Sequence, residues 1–466
     1  MSDRLTALDA TFLELEERDD CAHMHIGAIM VFEPPADGEA PSVAAVREQL
    51  EDRLDALPHY RSSLSEGHTG GLRWPAWEQD PGFDVCTHVR RAALPAPGGE
   101  RELLDWAADY WSTRLDRSRP LWEVVLLEGL EGGRWALASK THHALVDGVG
   151  SVDVGHLILD LDRDPEPRSA QPSPVAAAGG HGLAHQLFAG VRKGIDTMVH
   201  PAKLVHALEH SEAMLELLVR DEVVAAPPSS INVPIGSRRR YSALSIGLDE
   251  VKAIKNELGG TVNDVVLAAV TGGLRRLLLG RGDDLPSAGL RAMVPVNVRT
   301  AGEQLALGNK ITSLFVHLPV IEPEPMRRYQ LTVGGAEDLK AGTQGQGAAT
   351  LVSLTGMAPP AVHSLLARAL FASRLFNVTV TNVPGPQQQL YAFGARMERV
   401  LPLVPLAADH AVGVAVVSYA GRLFFGLNAD ERAVPDLDVL RDGIEDSLAE
   451  LGEIARGSRD PSALAL

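Results

Sequence analysis

The stretch from about residue 164 to 185, DPEPRSAQPSPVAAAGGHGLAH, constrains the fold more than any other. It is rich in Pro, Ala, Gly and Ser and has no apolar period that a helix or strand could bury, so it reads as a linker. A chain of 466 residues is long for one core, and here it is cut in two. The expected organisation is an N-terminal lobe over residues 1–165, an interdomain segment with a helical pattern over 166–230, and a C-terminal lobe over 231–466.

Before the linker, LWEVVLLEGLEGGRWALASKTHH reads as two apolar runs around EGG, a hairpin turned by Gly132 and Gly133. The following DGVGSVDVGHLILDLD has helical spacing. After the linker, SALSIGLD predicts a strand, and two helices follow across LDEVKAIKNELGGTVNDVVLAAVTGGLRRLLLGRG, the second apolar on nearly every face and so buried. Strands are expected in LRAMVPVNVR, ITSLFVHLP, FNVTVTNVPGP, HAVGVAVVSYAG and RLFFGLNAD, with an amphipathic helix near VLRDGIEDSLAELGEIA. Helices and strands alternate without a regular βαβ beat, which predicts mixed sheets in two α/β lobes.

Composition excludes several functions. Acidic residues number 61 against 43 basic ones, and a net charge of -18 repels a phosphate polymer, so nucleic acid is not an expected partner. The opening MSDRLTALDATFLELEERDD carries charge in every turn, unlike a secretory signal, and predicts a cytoplasmic protein. The most apolar stretch, LPLVPLAADHAVGVAVVSYAG, is broken by prolines, Asp409 and His410, so no transmembrane helix is expected. Cys21 and Cys86 are too few and too far apart for a disulfide scaffold or a thiolate metal site.

The hairpin's second strand ends in THHALVDG, residues 141–148. Strand alternation would place His142 and His143 on opposite faces, which argues against a shared metal, and no other cluster of His, Asp and Glu accompanies them. Two readings stay open from the residues alone. Histidine is suited to proton exchange near neutral pH, whereas a core pair with Asp147 capping a helix and Gly148 easing the turn fits the same letters.

THHALVDG resembles the HHxxxDG signature of the superfamily that includes chloramphenicol acetyltransferase and peptide-synthetase condensation domains. Further landmarks are similar to those of bacterial wax ester synthase/diacylglycerol acyltransferases: LDATFLELE, MHIGAIMVFE, RPLWE at 119–123, TVNDVVLAAVTGGLR at 261–275, MVPVNVR at 293–299, LGNK at 307–310 and NVTVTNVPGP at 377–386. The resemblance spans nearly the whole chain. It implies two chloramphenicol acetyltransferase-like lobes, each a mixed sheet with packed helices, and an active site at their interface.

It also implies an O-acyltransferase that moves a long acyl chain from acyl-CoA to a fatty alcohol or diacylglycerol, giving wax ester or triacylglycerol without a cofactor or metal. His143 would be the general base and His142 its milder neighbour. Asp147 would orient the loop by pairing with Arg299, or with Arg291. Asn263 of the ND pair would stabilise the oxyanion, with helix capping as its alternative, and Asp264 would secure the helix start. Pro120, Leu121 and Trp122 would line the acyl tunnel or pack beneath it. Arg238, Arg239 and Arg240 would meet coenzyme A phosphates or lie solvated at an edge. The runners-up are a carrier-protein-dependent enzyme acylating a polyketide or peptide, and a non-catalytic binder of apolar ligands. Because the implied substrates are lipids, peripheral contact with the inner membrane face or lipid droplets is expected through the helical stretch at 186–220, which carries Leu187, Phe188, Val191, Ile195, Met198 and Val199.

Overall fold

The computed structural model describes residues 3–5, 7–35, 38, 40–65, 75–145, 157–165, 226–297, 311–341 and 375–457. The first half contains β1 (Asp3–Arg4), α1 (Ala7–Arg18), β2 (His25–Phe32), α2 (Val43–Arg53), β3 (Ser62–Leu64), β4 (Ala76–Gln79), α3 (Val85–His88), β5 (Val89–Ala93), α4 (Glu100–Ser112), β6 (Trp122–Glu128) and β7 (Trp135–His142). The second contains β8 (Arg239–Gly247), α5 (Leu248–Leu258), α6 (Val262–Gly280), β9 (Leu290–Asn297), β10 (Ile311–Leu318), α7 (Pro325–Ala341), β11 (Val378–Pro384), β12 (Tyr391–Ala392), β13 (Ala395–Leu403), β14 (Val412–Tyr419), β15 (Arg422–Asp430) and α8 (Leu437–Gly457).

Two six-stranded sheets carry the lobes, in the orders β12-β13-β2-β7-β6-β5 and β10-β9-β11-β14-β15-β8. Both are mixed, since β5 runs parallel to β6 and β11 runs parallel to β9 and β14, while the remaining pairs are antiparallel. The hairpin β6–β7 turns on EGG, where Gly132 and Gly133 take φ of 74° and 75°, a region that glycine enters without strain. Strand β7 is central and buried along its whole length. One of its faces offers Trp135 and Leu137 to a core shared with Tyr60 and Trp122, and the other offers Ala136 and Ala138 to the core under α4. In the second lobe, α6 is enclosed as its all-apolar surface predicts, with Val265 to Leu274 buried against α8 and the sheet.

A boundary near residue 230 does not divide the sheets. Residues 391–403, within the segment assigned to the C-terminal lobe, cross back as β12 and β13 and pair with β2 of the first sheet, Val400 opposite Met30 and Leu401 opposite Ile29. The apolar side chains of ARMERVLPL find cover there, Met397 and Val400 in one first-lobe core and Leu401 and Leu403 in the other. A second difference lies after the histidines. Residues 157 and 158 form a short 3-10 turn, after which the chain bridges from Asp160 to Tyr391 and bends over 161–164, so the helical spacing does not run on to Asp162, and Leu157, Ile158 and Leu159 are buried in the first-lobe core. The remainder of that helical stretch, and the 186–220 segment, lie outside the described residues.

The exchanged strand also fastens the lobes. Tyr241 on β8 donates its hydroxyl to the Pro402 carbonyl at 2.7 Å, and a Cβ at Gly426 of β15 would lie 1.9 Å from that same carbonyl oxygen. Gly426→Ala is therefore expected to lower the denaturant midpoint by the equivalent of about 1–3 kcal/mol through overpacking at the junction. An unchanged midpoint would show that the sheets separate there at no cost.

Candidate active site

The site grows from the end of β7. The strand stops at His142, whose N–H donates to the Leu121 carbonyl at 2.9 Å, and His143 begins the turn, with its own N–H held by the Met24 carbonyl at 2.8 Å. Alternation does not extend to His143, so the two rings are not set on opposite faces by a shared strand. Both instead meet α1. The imidazole of His143 stacks on Phe12 with centroids 3.9 Å apart and planes 20° from parallel, while His142 Nε2 lies 2.6 Å from Glu16 Oε2. Phe12 and Glu16 are four residues apart and share a helix face, so one turn of α1 receives both histidines.

The backbone N–H of Ala144 donates to His142 Nδ1 at 3.0 Å. That bond leaves the ring proton on Nε2, where it is given to the Glu16 carboxylate. His142 is thus a buried bridge between α1 and the turn that carries His143, not a bystander. Arg114 completes the clamp, donating from Nε to Glu16 Oε1 at 2.7 Å. Burial alone would raise the Glu16 pKa, but the hydrogen bond from His142, together with the charge and hydrogen bond of Arg114, holds it at about 2. His25, paired opposite His142 in the β2–β7 register, lies 3.7 Å from the same carboxylate and is pushed well below its ordinary range by burial. Lys140, two residues upstream on β7, is fully buried and donates to the Tyr110 and Thr113 carbonyls at 3.0 and 2.8 Å, tying the end of α4 to the strand.

His143 itself is half-buried by surface exposure, and loss of hydration pushes its pKa down to about 4 against an opposing backbone hydrogen bond. The ring is therefore neutral at pH 7 and able to accept a proton. Its stacking partner Phe12 also packs against the second-lobe core that contains α6, so the ring lies where the lobes meet.

On the other side of that junction, Asn263 stands in the first turn of α6, half-buried, and its Oδ1 accepts from Asn382 Nδ2 at 3.4 Å. Asp264 closes a capping box, its Oδ2 accepting from the Thr261 N–H and Oγ1 at 2.8 and 2.7 Å. Leu121 and Trp122 are buried, Trp122 Nε1 donates to the Tyr60 carbonyl at 2.8 Å, and its ring stacks on His88 at 4.5 Å. Pro120 is buried as well, and the Leu121 carbonyl holds the His142 N–H.

The arginine run is also placed differently from a phosphate clamp. Arg239 is 5% exposed and spends its guanidinium on the carbonyls of Gly236, Arg238 and Cys21, because strand alternation turns it inward between its two neighbours. Those neighbours pair with acids of the same lobe, Arg238 with Glu431 and Arg240 with Asp438, each at 2.8 Å. Arg291, on β9, is half-buried and donates to the Leu375 carbonyl at 3.2 Å. Asp147, Gly148 and Arg299 lie outside the described residues. Among the described residues no three His, Cys, Asp or Glu side chains converge as metal ligands, and no helix is long and apolar enough to cross a membrane.

Sequence reasoning missed Glu16, Arg114 and Phe12. The available signal was the LDATFLELE block, in which Phe12 and Glu16 have helical i, i+4 spacing.

Residues 5–266 match the wax ester synthase/diacylglycerol acyltransferase catalytic domain, and residues 307–452 match the C-terminal domain of the same family. A probable diacylglycerol O-acyltransferase of Mycobacterium tuberculosis (strain H37Rv) is 35% identical over 463 residues, covering 97% of this chain and 96% of that protein. The wax ester synthase/diacylglycerol acyltransferase from Marinobacter aquaeolei VT8 superposes with a TM-score of 0.69 at 28% identity, covering 97% of this chain and 100% of that one. The first condensation domain of the calcium-dependent antibiotic synthetase shares the fold, with a TM-score of 0.58 at 15% identity over 99% of this chain and 98% of that one. The chain belongs to the wax ester synthase/diacylglycerol acyltransferase family and is an acyltransferase.

Proposed function

We propose that the protein transfers a long acyl group from acyl-CoA to the free hydroxyl of diacylglycerol, with His143 as general base. The observation that carries this reading is the His143 ring itself: it is held at the lobe junction, stacked on Phe12, and kept neutral by burial. An alcohol is too weak an acid to attack a thioester unaided. His143 takes the hydroxyl proton as the oxygen bonds to the acyl carbonyl carbon, and the negative charge moves to the carbonyl oxygen. The amide N–H of Asn263 is the donor suited to that oxygen, since its own oxygen is engaged by Asn382. Collapse restores the carbonyl and breaks the carbon–sulfur bond, and the imidazolium returns its proton to the departing thiolate. Ester and free coenzyme A thiol result, with no covalent acyl-enzyme. The thioester is already activated, so the cycle requires no metal or cofactor.

Diacylglycerol is preferred to a fatty alcohol as acceptor because the relative at 35% identity carries that activity in its name. Acceptor and product are both nearly insoluble in water, so the protein works in peripheral contact with a lipid surface. The test is product analysis with a long-chain acyl-CoA and diacylglycerol, hexadecanol or water alone, each with and without exhaustive chelation. Triacylglycerol as the main product, at a rate unchanged by chelator, is expected. Wax ester as the main product would reassign the acceptor, thioester hydrolysis alone would overturn acyl transfer, and loss of activity that a divalent ion restores would overturn the metal-free cycle.

A further inference from the structure

Asn263 serves an oxyanion only if its amide is turned the right way. A carboxamide has one acceptor end and one donor end, and a flip by 180° exchanges them with almost no change in shape. Some neighbour must therefore fix the orientation. Val378 and Val380 of β11 are buried in the same core as Val265 and Val266 of α6, so alternation brings Asn382 to that face near the end of the strand, level with the start of the helix. There the Asn382 Nδ2 donates to Asn263 Oδ1 at 3.4 Å, a long hydrogen bond. Meanwhile Thr261 and the Oδ2 of Asp264 satisfy each other in the capping box, and the buried Oδ1 of Asp264, an acceptor only, cannot take the place of Asn382 as a donor to Asn263 Oδ1.

We infer that Asn382 is a positioning residue for the acyl-transfer step, holding the oxygen of the Asn263 carboxamide so that its N–H groups are presented to the oxyanion. This rests on the reading of Asn263 given above. Asn382 touches no reacting atom, and its effect passes entirely through Asn263.

The replacement Asn382→Asp separates this from a packing role. The two side chains have nearly the same shape, but an ionised carboxylate cannot donate to Asn263 Oδ1, and instead attracts the amide N–H groups and turns the donors away. A protonated carboxyl can donate again. At about pH 8 the variant is expected to show kcat lowered about tenfold or more with KM for acyl-CoA little changed, because the loss of a whole oxyanion donor costs about 10²–10³. Taken as a ratio to the parent at the same pH, which cancels the loss of the His143 base, part of kcat returns as the pH falls into the carboxyl range, about pH 5 and below. In an Asn263→Ala background the same replacement changes neither kcat nor its pH dependence, whereas simple charge repulsion of the oxyanion would persist there. Asn382→Ala gives a pH-independent loss of about tenfold, and it supplies the measurement if the Asp variant does not fold. Full kcat in Asn382→Ala or Asn382→Asp, with Asn263→Ala impaired, overturns the inference and leaves the oxyanion role of Asn263 standing. Full kcat in Asn263→Ala overturns that role and the inference together.

Discussion

Replacing His143 by alanine is expected to lower kcat for acyl transfer by about 10² or more while the protein keeps its fold, since positioned proton transfer contributes about 10²–10⁴. The ring is half-buried and the replacement removes its stacking on Phe12 without stranding a buried charge, so the unfolding midpoint should move little. His142→Ala has the opposite signature. That side chain is buried and bridges Glu16 to the Ala144 N–H, so its removal strands a buried donor and a buried carboxylate oxygen and lowers stability first, with activity falling as the turn loosens. Activity assays paired with denaturant titrations distinguish the two. Equal loss of activity at equal stability in both variants would remove the separate roles assigned to the histidines.

The second large effect is at Glu16. Glu16→Ala is expected to destabilise the protein by about 3–5 kcal/mol, because His142 Nε2–H and Arg114 lose the buried carboxylate that both address. Glu16→Gln keeps an acceptor without the charge and should fall between. The pH dependence follows from the depressed pKa. A carboxyl at about 2 in the folded protein, against 4.5 unfolded, contributes stability that is fully present above pH 4.5 and is lost as pH falls toward 2. Acid sensitivity over that window should therefore be weaker in Glu16→Gln than in the parent. Denaturant midpoints at neutral and acid pH check both points, and an unchanged midpoint in Glu16→Ala would dissolve the clamp.

Much of this site can be read in the letters, and the reasons are local. The EGG turn, the apolar β7 that runs into the histidines, and the enclosed α6 all announce themselves by glycine content or by periodicity. Family landmarks then point to His143 and Asn263. What local pattern does not carry is which distant residue meets which. Glu16 sits in a run of acidic residues that reads as a solvated helix, and it reaches His142 across 126 positions only because β2 pairs with β7 and brings α1 over the strand end. The crossing of β13 into the first sheet is hidden likewise, since ARMERVLPL has the same alternation whichever sheet receives it. Arg239 shows the reverse error: three adjacent arginines look like one basic patch, but alternation along β8 turns the middle one inward to the protein's own carbonyls.

The central claim, that His143 is a neutral base at the lobe junction, is tested most directly by the pH dependence of kcat/KM, which reports the titration of the free enzyme. A free histidine would give an acid limb near its ordinary value of 6.5, whereas burial that holds His143 at about 4 moves the limb well below it. Lowering the pH protonates the base and stops the reaction, so activity should persist through about pH 6 and decline only as the pH approaches the depressed value. A parent enzyme half inactivated at its ordinary histidine pKa, while still folded, would contradict the account.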